Sequence, residues 1–223
     1  MRESVLQLNS SYLQNERSIW ICESVSGASD LVVFLDAEVY RDRMDALSVI
    51  EEVRGQVADA WYVFVSHQTW ETRWCECPCY PPFAGFIGEE LLTWLASGYI
   101  DFKRIRRRAL AGVSYTGLAA AFVAKAYPGS FQRIISQSGS FWWKDCWLVE
   151  QFRRLGQKIP ANSTWTLARR KFMKTSVTRK MSFRLYRRSK ASGASETHYS
   201  LRAMRCDIRS STEVTTTRVG MEP

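Results

Sequence analysis

Histidine is scarce in this chain: His67 and His198 are the only two in 223 residues, so any reaction needing an imidazole base must draw on one of them. No apolar run approaches the ~18 residues a bilayer span requires. Met1, Arg2, Glu3 and Ser4 lack the basic and apolar regions of a secretory signal, and a cytoplasmic protein without membrane attachment is expected. There is no G-x-G-x-x-G, no Walker-type loop and no H-E-x-x-H, which leaves dinucleotide, nucleotide and zinc-protease chemistry without support. Internal repeats are lacking too. Six cysteines, three of them crowded at Cys75, Cys77 and Cys79, do not resemble a secreted disulfide framework, so reduced thiols are expected. The C-x-C-x-C spacing places those three on one side of an extended segment with no fourth ligand, a poor match to C-x-x-C zinc sites; no metal and no cofactor is expected.

What is present is enough apolar material, 46% of the chain, for one core-bearing domain. The net charge of +9 is unevenly held. Residues 1–150 carry a net −4 and the remainder +13. The first 150 residues alternate short apolar runs with helical patterns, the rhythm of a mostly parallel sheet covered by helices. Strands are expected at 18–23, 31–35, 61–66, 110–114 and 133–136; the second and third are continuous apolar runs suited to burial on both faces. Helical spacing marks 44–53, with Asp42 as a cap, 83–95, and the small-residue stretch GLAAAFVAKA at 117–126, whose alanines let it lie close to a sheet. After about Gln151 the pattern fails, giving an expected division into a core at 1–155 and a basic, Ser/Thr-rich, poorly ordered tail at 156–223. Lys and Arg interleaved with Trp165, Phe172, Phe183 and Tyr186 offer a nucleic-acid arm as the sharper reading of that tail, but charge without a recognisable module favours the solvated one.

The stretch ALAGVSYTG, residues 109–117, places a serine at the end of an apolar strand and directly before the small-residue helix. A sharp turn there lifts the Ser114 hydroxyl above the sheet and lets the Tyr115 amide point at a developing oxyanion at the helix N-terminus. The usual pattern is G-x-S-x-G; here Thr116 stands two after the serine, with the glycine displaced to Gly117, and its Cβ is expected to crowd the turn.

Further segments, SQSGSFWW at 136–143, LVVFLDAE at 31–38, RWCE at 73–76 and EELLTWL at 89–95, occur in an order and spacing that resemble the enterochelin esterase family of α/β-hydrolases over nearly all of residues 5–155. The resemblance implies an α/β-hydrolase fold, a mostly parallel sheet with flanking helices, incomplete at its C-terminal edge. It makes Ser114 the acyl-accepting nucleophile and the Tyr115 amide one oxyanion donor. It places Asp36 and Ala37 at the turn that shapes the oxyanion and substrate side. Arg73 and Glu76 match its R-x-x-E element beside the site, where an arginine meets a substrate carboxylate or catecholate; a surface or supporting ion pair is the alternative. Trp142 and Trp143 either wall an aromatic-binding cleft or serve packing.

Serine is a weak nucleophile at neutral pH and needs an imidazole oriented by a carboxylate. The resemblance implies a late acid and a histidine in a G-G-H-D loop. His198 comes late enough, but its SETHYS surroundings do not match, and His67, before the elbow, reads as a cleft-edge or structural histidine. A shifted reading frame beginning near Ala161 accounts for the discrepancy. With codons chosen freely, one common frame turns 164–183 into an apolar strand followed by a charged helix, and 208–222 into a segment containing G-G-H-D. Two functions remain: a serine esterase acting on a small-molecule ester through Ser114, weakened by the altered tail, or a non-catalytic hydrolase-fold protein whose basic tail holds an anionic partner.

Overall fold

The structure is a computed structural model that describes residues 1–23, 27–154 and, as backbone, 164–168. Seven strands form one sheet in the order β1-β2-β4-β3-β5-β6-β7. β1 (Arg2–Ser10) and β2 (Asn15–Glu23) make an antiparallel hairpin, and β2 runs antiparallel to β4 (Ala60–Val65). From β4 onward every pairing is parallel, through β3 (Asp30–Leu35), β5 (Arg107–Val113), β6 (Arg133–Gln137) and β7 (Thr164–Ala168). Together with helices on both faces, this is the expected α/β-hydrolase architecture. Among the described residues no helix is long and apolar enough to cross a membrane.

The central strands are buried on both faces because successive side chains alternate between two cores. Leu31, Val33, Leu35, Val63 and Val65 enter the larger core, beneath α4 (Pro81–Gly85), α5 (Leu91–Gly98) and α6 (Tyr115–Ala126). Phe34, Tyr62 and Phe64 turn to the opposite face, where they meet Ala37 and Tyr40 of α1 (Ala37–Tyr40) and Leu47 and Ile50 of α2 (Ala46–Glu52). Residues 116–123 of α6 are all buried, which only a run of small side chains with few large ones permits against a sheet.

Several expectations are corrected. The helix expected at 44–53 begins at Ala46 with Asp45, not Asp42, at its N-cap; Asp45 sits at φ 48°, a left-handed step that restarts the chain after the 41–44 turn. The helix expected at 83–95 is three pieces, α4 and α5 joined by one wide π turn, Phe86–Glu90, which directs Glu90 to the hairpin's Ser10 and Ser11 hydroxyls at 2.5 and 2.6 Å. The cysteine cluster is not extended: Cys75 is exposed on α3 (Trp70–Glu76), Cys77 follows its last turn and is buried, and Cys79 stands at φ 56°. Cys22, Cys75, Cys77 and Cys79 are free thiols, but Cys146 is disulfide-bonded, so the reduced state does not extend to every cysteine.

β1 and β7 were not expected. β1 is an edge strand whose burial is almost confined to Leu8 and Ser10, leaving little hydrophobic alternation to read. β7 lies beyond residue 155, the expected end of the core, and its T-W-T-L-A run has the β-branched and aromatic content that suits a strand. The sheet thus takes a parallel strand from the segment read as tail. His198 and the remaining expectations for 156–223 lie outside the described residues.

Candidate active site

β5 ends at Val113, Ser114 takes φ 57° and ψ −117°, and α6 starts at Tyr115. Such a backbone is strained for any residue with a Cβ, and the neighbours hold it there. The Ser114 N–H donates to the Gln137 carbonyl at 2.9 Å, and the Ser114 carbonyl accepts from the Ser140 N–H at 3.0 Å. The turn is sealed by the residue expected to disturb it. Thr116 Oγ1 accepts from the Val113 N–H at 2.7 Å and donates to the Val113 carbonyl at 2.8 Å, so its hydroxyl stitches the elbow and its Cβ is accommodated. Glycine is demanded at two nearby positions instead. A Cβ on Gly112 would run into the Thr116 carbonyl, and one on Gly117 would come within 2.7 Å of Ser136 Oγ and 3.0 Å of Gly139 Cα.

The 136–143 segment wraps this turn. Ser136 Oγ, buried, donates to the Gly117 carbonyl at 3.0 Å and fixes α6 to β6. The Ser140 hydroxyl, also buried, lies 3.2 Å from Ser114 Oγ. Neither Ser140 nor Gln137 was singled out from the sequence: SQSGS stood out as a string, but which of its groups meets the elbow depends on the β5–β6 register.

Tyr115 and Ala37 each occupy the first position of a helix, where backbone N–H groups have no intrahelical acceptor and are available to an oxyanion. Asp36, just before Ala37, is fully buried at φ 89°, and its N–H donates to the Val65 carbonyl at 3.1 Å. Its carboxylate accepts from Arg73 Nε at 2.5 Å, and Arg73 Nη2 reaches the Val113 carbonyl at 3.2 Å. One buried guanidinium therefore ties the β3 turn to the Ser114 turn. Burial pushes the Asp36 carboxyl above its ordinary value, with Arg73 opposing. Arg73 is placed by the start of α3, where Thr69 and Thr72 form a reciprocal capping box and Arg73 follows one residue later.

Arg73 and Glu76 do not share a task. Glu76 turns away to the fully buried Arg17, with which it pairs, and to His67 Nδ1 at 3.7 Å. His67 is itself buried, stacked on Phe83 at 5.2 Å, with Nε2 3.6 Å from Cys77 Sγ. It is a structural histidine. Burial raises the Cys77 thiol well above its usual range, which keeps it neutral in this cluster.

The tandem tryptophans also separate. Trp143 packs edge-on to Trp147 at 6.4 Å, whereas Trp142, 48% exposed, stands 5.8 Å from the Tyr115 ring. Tyr115 is in turn 5.1 Å from Trp74, 57% exposed. Three rings from α3, α6 and the 138–143 loop thus line up beside Ser114, and Trp74 was missed because only its neighbours in RWCE carried an expected role. No group of three His, Cys, Asp or Glu side chains suited to a metal ion occurs among the described residues.

A family model described as "Putative esterase" matches residues 12–187. The chain is 31% identical to an iron(III) enterobactin esterase of Dickeya dadantii over 159 residues, 68% of this chain and 36% of that protein. It is 30% identical to the iron(III) enterobactin esterase of Escherichia coli K12 over 136 residues, 59% and 34% of the two chains. The chain therefore spans about a third of the length of these curated relatives. Among solved structures, the enterobactin esterase of Shigella flexneri in the presence of 2,3-dihydroxy-N-benzoyl-glycine superposes with a TM-score of 0.65 at 26% identity, covering 74% of this chain and 45% of that one. A siderophore hydrolase of Aspergillus nidulans shares the fold at a TM-score of 0.58 and 19% identity, over 75% and 68%. An elbow serine between β5 and α6, wrapped by the segment after β6 and matched along 12–187, makes this chain a member of the putative esterase family, of enterobactin-esterase-like α/β-hydrolases.

Proposed function

We propose that the chain is a serine carboxylic-ester hydrolase that acts on bulky aromatic, siderophore-type esters through an acyl-enzyme on Ser114. The observation that carries this reading is the backbone of Ser114, φ 57° and ψ −117°, between a buried parallel strand and a helix N-terminus. Ser114 Oγ adds to the ester carbonyl, the Oγ–C bond forms, and the oxyanion lies toward the N–H groups of Tyr115 and Ala37. Collapse of the tetrahedral species expels the alcohol, which takes up the proton that Ser114 released, and water then cleaves the acyl-enzyme. Arg73 and Asp36 hold the two oxyanion turns in register, and Trp74, Tyr115 and Trp142 offer ring faces to an aromatic acyl group. The reaction needs no cofactor.

Activation of Ser114 is the weak step. His67 is enclosed with Glu76, Cys77 and Phe83, which leaves His198 as base candidate. Loss of a triad member lowers turnover by several orders of magnitude, so slow turnover is expected. A frameshift near codon 161 accounts for the missing G-G-H-D loop; sequencing codons 150–223 of the gene decides this, and clean reads in the present frame would refute it. The function itself is tested with a fluorophosphonate probe. Covalent capture of the folded protein that disappears in Ser114→Ala is the expected result. A folded chain that takes up no probe but retains aromatic esters would be a binding protein instead.

A further inference from the structure

We propose that Ser140 is a hydrogen-bonding partner of the nucleophile, donating to Ser114 Oγ as its proton leaves; this rests on Ser114 being the nucleophile. The two hydroxyl oxygens are 3.2 Å apart, and the same residues are joined a second time by the Ser140 N–H on the Ser114 carbonyl at 3.0 Å. Two links between one pair of residues fix the hydroxyl pair more narrowly than either alone. Ser140 has little freedom to turn away, being 2% exposed and held on its other side by the Trp143 N–H on its carbonyl at 3.0 Å.

A neutral serine hydroxyl is too weak a base to take the proton of Ser114, so acceptance alone would contribute nothing to attack. Donation does contribute. As the Ser114 O–H bond breaks, negative charge builds on Oγ, and a donor already in place without reorganisation strengthens as charge develops. Water would give the same bond in an open site, but Ser140 supplies it from a buried position, where a charge-assisted hydrogen bond is worth more.

The test follows the rate of fluorophosphonate capture against pH in the full-length wild type, Ser140→Ala and Ser140→Cys, with folding checked by near-ultraviolet circular dichroism. In the reaction the Ser114 Oγ–P bond forms, fluoride departs with the P–F electron pair, and the hydroxyl proton passes to solvent. Removing the donor should lower the limiting capture rate about tenfold or more at an unchanged half-saturating probe concentration. The weaker thiol donor of Ser140→Cys should fall between the two at every pH. Equal rates and identical pH profiles in all three proteins overturn the role of Ser140 while leaving Ser114 as nucleophile. A fall in thermal stability with an unchanged limiting capture rate assigns Ser140 to structure alone and overturns it too. No capture by the wild type removes the nucleophile and this inference together.

Discussion

At the scale of single residues, Thr116 and Trp142 separate support of the elbow from the exposed ring face beside it. Thr116→Val keeps the shape of the side chain but strips the Val113 N–H and carbonyl of a partner each. A loss of about 1–3 kcal/mol is expected, read as a lower Tm, together with slower probe capture by Ser114. Trp142→Ala should leave Tm nearly unchanged, because the ring is half exposed. It should raise KM for aryl esters by roughly two- to tenfold relative to alkyl esters, the worth of one aromatic contact. An equal change for both ester types would place Trp142 outside the binding face. Ser114 was legible because strand, serine and small-residue helix are contiguous in the chain. Ser140, Trp74 and the separation of Arg73 from Glu76 were not, since each depends on which neighbour lies across the sheet or across α3.

Among elements, α1 and α3 behave as clamps. Glu38 of α1 accepts hydrogen bonds from the Ser66 hydroxyl and from the N–H groups of His67 and Gln68 just past β4. Burial pushes its carboxyl up, but the Ser66 hydroxyl and the N–H groups of Glu38 itself and of His67 outweigh it and leave it below the ordinary value. A depressed folded value means that the unfolded chain takes the proton first. The contribution of Glu38 is therefore complete above the usual glutamate value and lost as pH falls through the folded one. Glu38→Gln should lower Tm at pH 7 and narrow its gap from wild type toward about pH 3. Asp36, raised by burial, acts with the opposite sign in the same acid range, so the difference between variant and wild type is the quantity to follow. A constant Tm gap from pH 7 to 3 would deny Glu38 this role. Glu76 joins α3 to Arg17 of β2, and Glu76→Ala leaves that arginine buried without its carboxylate. About 3–5 kcal/mol of stability should disappear. A stable variant with only a raised KM would return Glu76 to the substrate. The helix at 83–95 was readable in outline, but not its π turn, because an apolar face of near-helical period tolerates one wide turn without leaving a trace in the sequence.

On the scale of the whole molecule, the parallel interior was legible in the runs LVVFL and WYVFV, whose unbroken apolar content suits strands covered on both sides. The order of the strands was not, because spacing along a chain does not reveal which strand lies beside which. β3 sits between β4 and β5, and its central place follows from crossovers on two faces of the sheet. That placement has a kinetic consequence. Until β5 arrives, β3 exposes a bare edge to any other nascent chain, and the kinked turn carrying Ser114 has no wall to form against. Refolding from denaturant should be slow, and its yield should fall steeply as protein concentration rises. Dilute, cool refolding would favour the productive route, because the turn that presents Ser114 forms only late in the chain's own assembly.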